Sequence, residues 1–201
     1  IYTRRYTLSL HDALPIFGPS SSHTAGAARI GKIAREILND EPVSAEITLY
    51  GSFATTGKGH GTDKALVAGL MGYAPDSGTI RDAITTAEER GLSVSFQASS
   101  LDMGHPNMAE IKMKGKSGRM ATVVGRSLGG GRVMITGIDG FPVEITGEEY
   151  TLLTNHNDVP GIVADVGKIL AEEHVNISNM RVFRKGKGTE AVMIIHSDQK
   201  V

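Results

Sequence analysis

The chain contains no cysteine. That excludes disulfides, a thiolate nucleophile, zinc–thiolate sites and an iron–sulfur cluster held by its own residues. An excess of charge of either sign is also missing. Lys and Arg number 21 against 22 Asp and Glu, for a net charge of -1. Such a balance leaves no electrostatic footprint for nucleic acid or an anionic membrane. No apolar run reaches the roughly 18 residues that a bilayer span needs. What is present is ordinary for a globular protein: 40% hydrophobic and 21% charged residues, which argues against disorder over most of the length. A length of 201 residues allows one or two domains. Glycine is over-supplied, at 25 residues, and it clusters in short stretches where backbone must come close to something.

Both ends read as foreign or incomplete. Residues Ile1 to Ile16 carry Arg4-Arg5, a weak apolar pattern and Pro15. They lack the continuous apolar core and small-residue cleavage site of a secretory signal. Tyr6 to Ile16 looks like translated adapter sequence, so 1–16 is set aside as a non-native or disordered leader. Val201 follows soon after an apolar strand, which suggests a C-terminal truncation.

Between these ends the hydrophobic period changes twice. Ile30, Ile33, Ala34, Ile37 and Leu38 form one helical stripe, predicting a helix over 20–38 that Asn39 and Pro42 end. A strand is expected over 45–53. A glycine-rich loop over 57–61 follows, then a short helix over 64–71 capped by Asp63. A second amphipathic helix is expected over 79–90. From Leu92 the period becomes two, with about five strands through Ile145. A second unit begins near Glu148. Strand 150–154, a loop with Pro160, a helix carrying Ile162, Val166, Ile169 and Leu170, and strands 175–183 and 190–196 give β-α-β-β. That is most of a ferredoxin-like unit, without its last helix and strand. The expected class is α+β: a mixed domain over 17–147, then a truncated unit over 148–201.

Three histidine motifs could carry chemistry. Gly18-Pro19-Ser20-Ser21-Ser22-His23-Thr24-Ala25-Gly26 opens the first helix. Hydroxyls and an imidazole beside free backbone N–H groups suit an anion, most simply a carboxylate. The plainer alternative is an over-supplied N-cap. In Gly57-Lys58-Gly59-His60-Gly61-Thr62-Asp63, glycines admit a ligand close to His60. Imidazole is the usual general base near neutrality. Asp63 could orient it or cap the next helix. A phosphate loop is a rival without the Walker spacing, and an exposed flexible loop is the plain alternative. Gly104-His105-Pro106-Asn107 could hydrogen-bond a carboxylate or amine, or be only a turn. Gly129-Gly130-Gly131 after Ser127 suggests a bulge. A three-histidine metal set of His23, His60 and His105 ranks last, because none has a helix-spaced partner.

Taken together and in this order, these motifs closely resemble the β subunit of bacterial iron–sulfur-dependent L-serine dehydratases. The resemblance runs from Phe17 to the end. The C-terminal part resembles an ACT domain, a small-molecule-binding module. It implies effector-binding positions at Asn157, Asp158, Gly161 and Asn176. The family implies that L-serine loses water and is converted to pyruvate and ammonia, with a [4Fe–4S] cluster and no pyridoxal phosphate. The cluster cysteines must then stand on a partner α subunit, which agrees with their absence here. By the same resemblance Ser21, Ser22, His23 and Thr24 face the carboxylate, with Asn107 as a further substrate contact. His60 is the expected base and His105 a second catalytic residue; sequence alone does not separate the two. No metal ligand is expected in this chain. The remaining expectations are a cytoplasmic protein, ACT-mediated dimerisation when intact, and no nucleic-acid or membrane partner. The rival reading is a non-catalytic amino-acid-binding regulatory protein, since a similar domain stands beside ACT modules in some phosphoglycerate dehydrogenases.

Overall fold

The computed structural model describes residues 6–8 and 21–201, with side chains from Ser22 onward. Gly18, Pro19, Ser20 and the side chain of Ser21 lie outside the described residues, as do 1–5 and 9–16 of the segment set aside as a leader. Within that segment, strand β1 (Tyr6–Leu8) is formed. The chain divides into two compact units, Asp12–Thr146 and Gly147–Val201, with Ile1–His11 grouped with the second. The class is mixed α and β throughout.

In the first unit, a wide π-helical coil over Ser21–Gly26 runs directly into α1 (Ala27–Leu38). The predicted stripe of α1 is buried: Ile30, Ile33, Ala34, Ile37 and Leu38 are at most 1% exposed. Asn39 closes the helix in the left-handed region, its N–H reaching the carbonyls of Arg35 and Glu36. The segment expected as a single helix therefore changes pitch at Gly26, and π-helical turns recur at functional sites.

Strand β2 spans Pro42–Gly51 and ends earlier than expected. Phe53 belongs to helix α2 (Ser52–His60), which also takes up most of the presumed glycine-rich loop. Glycine is a poor helix former, so outside contacts hold this helix. The carbonyl of Pro106 accepts the N–H groups of Ser52 and Phe53 at its start. Phe53 is fully buried, and Gly57 packs on Thr62. Helix α3 (Thr62–Leu70) follows after Gly61, which sits in the left-handed region at φ 72°. Helix α4 (Ala83–Glu89) is preceded by a 3-10 turn over Gly78–Asp82, so the helix predicted over 79–90 begins tighter than an α-helix.

Strands β3 (Ser93–Ser99), β4 (Asn107–Gly115), β5 (Met120–Gly129), β6 (Arg132–Ile138) and β7 (Phe141–Ile145) complete a six-stranded sheet of order β3-β2-β4-β5-β6-β7. Only β2 and β3 pair in parallel, because helices connect them. Ile47, Ile111 and Val123 stand in register across β2, β4 and β5 and are all buried. Helices α1 and α3 cross tightly at two glycines. A Cβ on Gly31 would fall on the carbonyl oxygen of Leu66, and one on Gly69 on that of Ala28.

In the second unit, β8 (Tyr150–Asn157), helix α5 (Ile162–Glu172), β9 (Ile177–Arg184) and β10 (Glu190–Ser197) follow the predicted β-α-β-β order. The sheet order is β1-β8-β10-β9, all antiparallel. Its core gathers Leu152, Leu170, Met193 and Ile195. Helix α5 is thinly covered: Leu170 is its buried residue, whereas Val163 and Ile169 are 50% and 43% exposed. A cavity of about 150 Å³ lies between Leu152, Thr154 and His156 of β8 and Ile162, Val166 and Ile169 of α5. Among the described residues no helix is long and apolar enough to cross a membrane.

Candidate functional site

The N-terminal half of α2 builds the floor of the site. Its first residue follows Gly51, whose φ of 57° favours glycine and whose Cβ would strike Pro106. Gly51 pairs with Asn107 at the end of the β2–β4 ladder. The third histidine motif thus anchors the helix that bears the second.

One turn of α2 aligns Ser52 and Thr56, whose hydroxyls lie 3.1 Å apart. Each is 3.2 Å from Nε2 of His23. His23 therefore turns from the π-helical coil into a pair of hydroxyls on α2. Its ring meets Phe53 edge-on at 5.2 Å and lies 4.9 Å from the ring of His60. Burial, with help from the neighbouring His60, holds the pKa of His23 below the ordinary histidine value. Thr24 is buried too, and its hydroxyl donates to the carbonyl of His60 at 3.5 Å. Two motifs 36 residues apart are thereby locked together.

His60 differs from its neighbour. It is exposed, and its ring nitrogens have no hydrogen-bond partner among the described residues. Asp63 does not orient it. The Asp63 carboxylate instead accepts from the N–H of Lys64 at 2.9 Å, within the first turn of α3.

His105 is half-buried against a different recess, of about 560 Å³, lined by Gly51, Thr55, Pro106 and the loop from Ser99 to Gly104. Its Nδ1 accepts the backbone N–H of Asn107 at 3.2 Å. In the neutral ring the proton then sits on Nε2, which makes that nitrogen a donor. Burial holds the pKa of His105 down, with the nearby Arg126 guanidinium adding to it. Arg126 stands across the ladder from Met108.

The glycine triplet closes the other side. Gly129, Gly130 and Gly131 all have positive φ, and the β5 ladder bulges between Ser127 and Gly129. A Cβ on Gly129 would stand 3.5 Å from the Ser22 hydroxyl, and one on Gly131 would stand 3.8 Å from Ala25. A Cβ on Gly26 would fall on the Ser127 hydroxyl. The hydroxyl-rich coil is thus seated on this turn. Ser127 Oγ, Asn107 Oδ1, Arg126 Nε and Thr62 Oγ1 are buried without a hydrogen-bond partner. Buried polar atoms left open like this cost stability unless a ligand or water meets them. Sequence reasoning missed Ser52, Thr56 and Arg126. The spacing of Ser52 and Thr56, one helical turn apart directly after Gly51, was the available signal.

In the second unit, Asp158 bridges to the Arg184 guanidinium and the N–H of Gly188, both at 3.1 Å. These bonds, the backbone one first, hold its carboxyl below the ordinary range. Asn176 donates to Asp198. Gly161 caps α5 with φ 94° and open space around it, and Asn157 ends β8 opposite Glu190. Two of the four expected effector positions are therefore tied to neighbours within the chain.

Comparison with known proteins follows these outlines. The family model for the serine dehydratase beta chain matches residues 9–91, and the ACT domain model matches 150–201. The protein named "Probable L-serine dehydratase, beta chain" of Bacillus subtilis (strain 168) is 41% identical over 92% of this chain and 84% of its own length. The L-serine dehydratase beta chain of Peptoniphilus asaccharolyticus is 38% identical over 88% of this chain and 80% of its own. D-3-phosphoglycerate dehydrogenase of Bacillus subtilis is 30% identical over 86% of this chain, but this covers only 33% of that enzyme. On the identity and coverage shared with the two beta chains, this chain belongs to the L-serine dehydratase beta-chain family, with an ACT domain over 150–201.

Proposed function

We propose that this chain is the β subunit of a two-chain L-serine ammonia-lyase, with His60 as the base that removes the α-proton. The observation that carries the assignment of the base is the contrast between the two candidates. His60 is exposed and its ring has no hydrogen-bond partner among the described residues, whereas the Nδ1 lone pair of His105 is committed to Asn107. A base needs a free lone pair within reach of the proton it takes.

The residues divide the work. Ser21, Ser22, His23 and Thr24 receive the serine carboxylate at the hydroxyl-rich coil. Neutral His23, held between Ser52 and Thr56, adds no charge that would raise the barrier to protonating His60. His105 acts as a hydrogen-bond donor through Nε2, and Asn107 turns an open carbonyl oxygen toward an amine. Loss of the α-proton and the β-hydroxyl as water gives 2-aminoacrylate, which hydrolyses to pyruvate and ammonia.

Hydroxide is a poor leaving group, and a Lewis acid eases its departure. In this reading that chemistry comes from a [4Fe–4S] cluster on a partner α subunit, with no pyridoxal phosphate. This chain's own donors do not fit a cluster. It has no thiolate, and among the described residues no three His, Asp or Glu side chains gather to hold a metal. The part played by this chain is therefore confined to its organic side chains. In this reading the protein pairs through its ACT unit and works in the cytoplasm.

The match to phosphoglycerate dehydrogenases supports a second reading, an amino-acid-binding regulatory module without catalysis. The test separates them. In the reconstituted two-chain enzyme, His60→Ala should lower kcat by about 10²–10⁴-fold with little change in KM. His105→Ala should retain more turnover than His60→Ala. Near-normal turnover by His60→Ala would exchange the two roles, and serine binding without turnover in any pairing would favour the regulatory reading.

A further inference from the structure

Beside His60 opens a second space that the proposed chemistry has not used. A recess of about 680 Å³ is lined by Thr24, His60, Lys64 and Arg81, with Asp76 and Ile80. Lys64 comes from the first turn of α3 and Arg81 from the 3-10 turn that follows it in the chain. Neither forms an ion pair among the described residues. Both cations line one concavity, and Asp76 is the one carboxylate among these lining residues.

The placement of Lys64 sharpens the point. A cation in the first turn of a helix lies at the positive end of the helix dipole, which is unfavourable. Asp63 offsets part of this, but its carboxylate is turned onto backbone N–H. Gly61, at the N-cap, supplies no side-chain cap to α3. The recess thus collects a helix N-terminus, an ammonium and a guanidinium from separate elements, and one opposing charge. An excess of one positive charge suits a single anionic group. A guanidinium and an ammonium both match carboxylate oxygens.

We propose that Lys64 and Arg81 form a carboxylate-binding pair, and that the recess beside His60 takes small monocarboxylates of the α-amino and α-keto class. The inference rests on the reading of His60 as the base, and it adds the feature of the substrate that is recognised on that side. It places the specificity for a free carboxylate on Lys64 and Arg81 as well as on the hydroxyl-rich coil. It also gives the keto-acid product a site next to the proposed base, so that product competes with substrate.

The test uses the full chain, sodium pyruvate as the probe and the backbone amide resonances of His60, Gly61 and Lys64 as the readout. Pyruvate should shift these resonances saturably, and pyruvamide, which keeps the shape and loses the charge, should not. The Lys64→Ala/Arg81→Ala double variant should weaken pyruvate binding by about tenfold or more, with amide resonances elsewhere unmoved. Arg81→Lys should keep most of the affinity. Raising salt to about 0.5 M should weaken binding, because both cations are exposed. Equal binding of pyruvamide, or an unchanged affinity in the double variant, would overturn the proposal. Turnover is not read, so a failure of the lyase assignment leaves this result standing, and a failure of binding leaves the role of His60 standing.

Discussion

Three histidines mark the candidate site, and burial acts on the titration of two of them. His23 and His105 are pushed below the ordinary histidine value, chiefly by burial, so both are neutral at pH 7. For each, the unfolded chain binds more protons than the folded chain just below pH ~6.5, so stability rises with pH through that window. Glu36 on α1 works in the opposite sense. Burial pushes its carboxyl from 4.5 up to about 7, only partly countered by Lys32, and Oε2 is buried without a partner. Between those two values the folded state holds the extra proton, so stability falls as pH rises and the loss is complete above about 7. Glu36→Gln should therefore denature at higher urea concentration than the parent at pH 8, and should lose the advantage near pH 5. A larger advantage at pH 5 than at pH 8 would contradict the buried, proton-holding Glu36. At this scale the sequence revealed which residue types mattered, because hydroxyls, imidazoles and glycines stood out against ordinary composition. It did not reveal that His23 is clasped by Ser52 and Thr56. That contact joins residues 29 and 33 positions apart in the chain, which local spacing does not encode.

Helices α1 and α3 hold the two histidine-bearing ends in place. The π-helical coil with His23 leads into α1, and His60 with Gly61 leads into α3. Their close crossing needs bare backbone at Gly31 and Gly69. Gly69→Ala puts a methyl group onto the Ala28 carbonyl, and the helices must part to admit it. The expected cost is about 1–3 kcal/mol, the usual range for overpacking, despite alanine being the better helix former. Urea denaturation of Gly69→Ala against Gly78→Ala, where the Cβ would meet open space, reads this directly. Equal midpoints would show that the crossing relaxes freely. The α1 stripe was legible because burial repeats at the helical period, and Asn39 closed it as its αL tolerance allows. The glycine-rich stretch over 57–61 misled for a physical reason. Local propensity there opposes a helix, and tertiary contacts to Pro106, Thr62 and His23 override it.

On the scale of the whole molecule, the switch to a period of two after Leu92 marked the sheet, and β-α-β-β marked the second unit. The strand order of either sheet was not readable, since pairing depends on connections that periodicity leaves open. The segment set aside at the N-terminus contributes Tyr6–Leu8 to the edge beside β8. Backbone pairing asks little of side chains, so composition was a poor guide there. The thin cover of α5 and the cavity beneath it bear on the ACT unit's ligand binding. With Asp158 and Asn176 occupied by neighbours, L-serine should bind this unit weakly or undetectably in calorimetry on the full chain. Tight, saturable heat that disappears in Asp158→Ala would contradict that expectation. On the proposed reading, the absence of cysteine leaves the cluster to a partner chain. The chain purified alone should be colourless and free of stoichiometric iron and sulfide.

The central claim is that this chain supplies the base and a partner supplies the Lewis acid. The measurement that tests it most directly is pyruvate formation from L-serine under anaerobic conditions, by this chain alone and by this chain co-purified with a cysteine-bearing partner. The account predicts no turnover alone, turnover with the partner, and its loss in His60→Ala. Turnover by the isolated chain, or full turnover by His60→Ala in the complex, would contradict it.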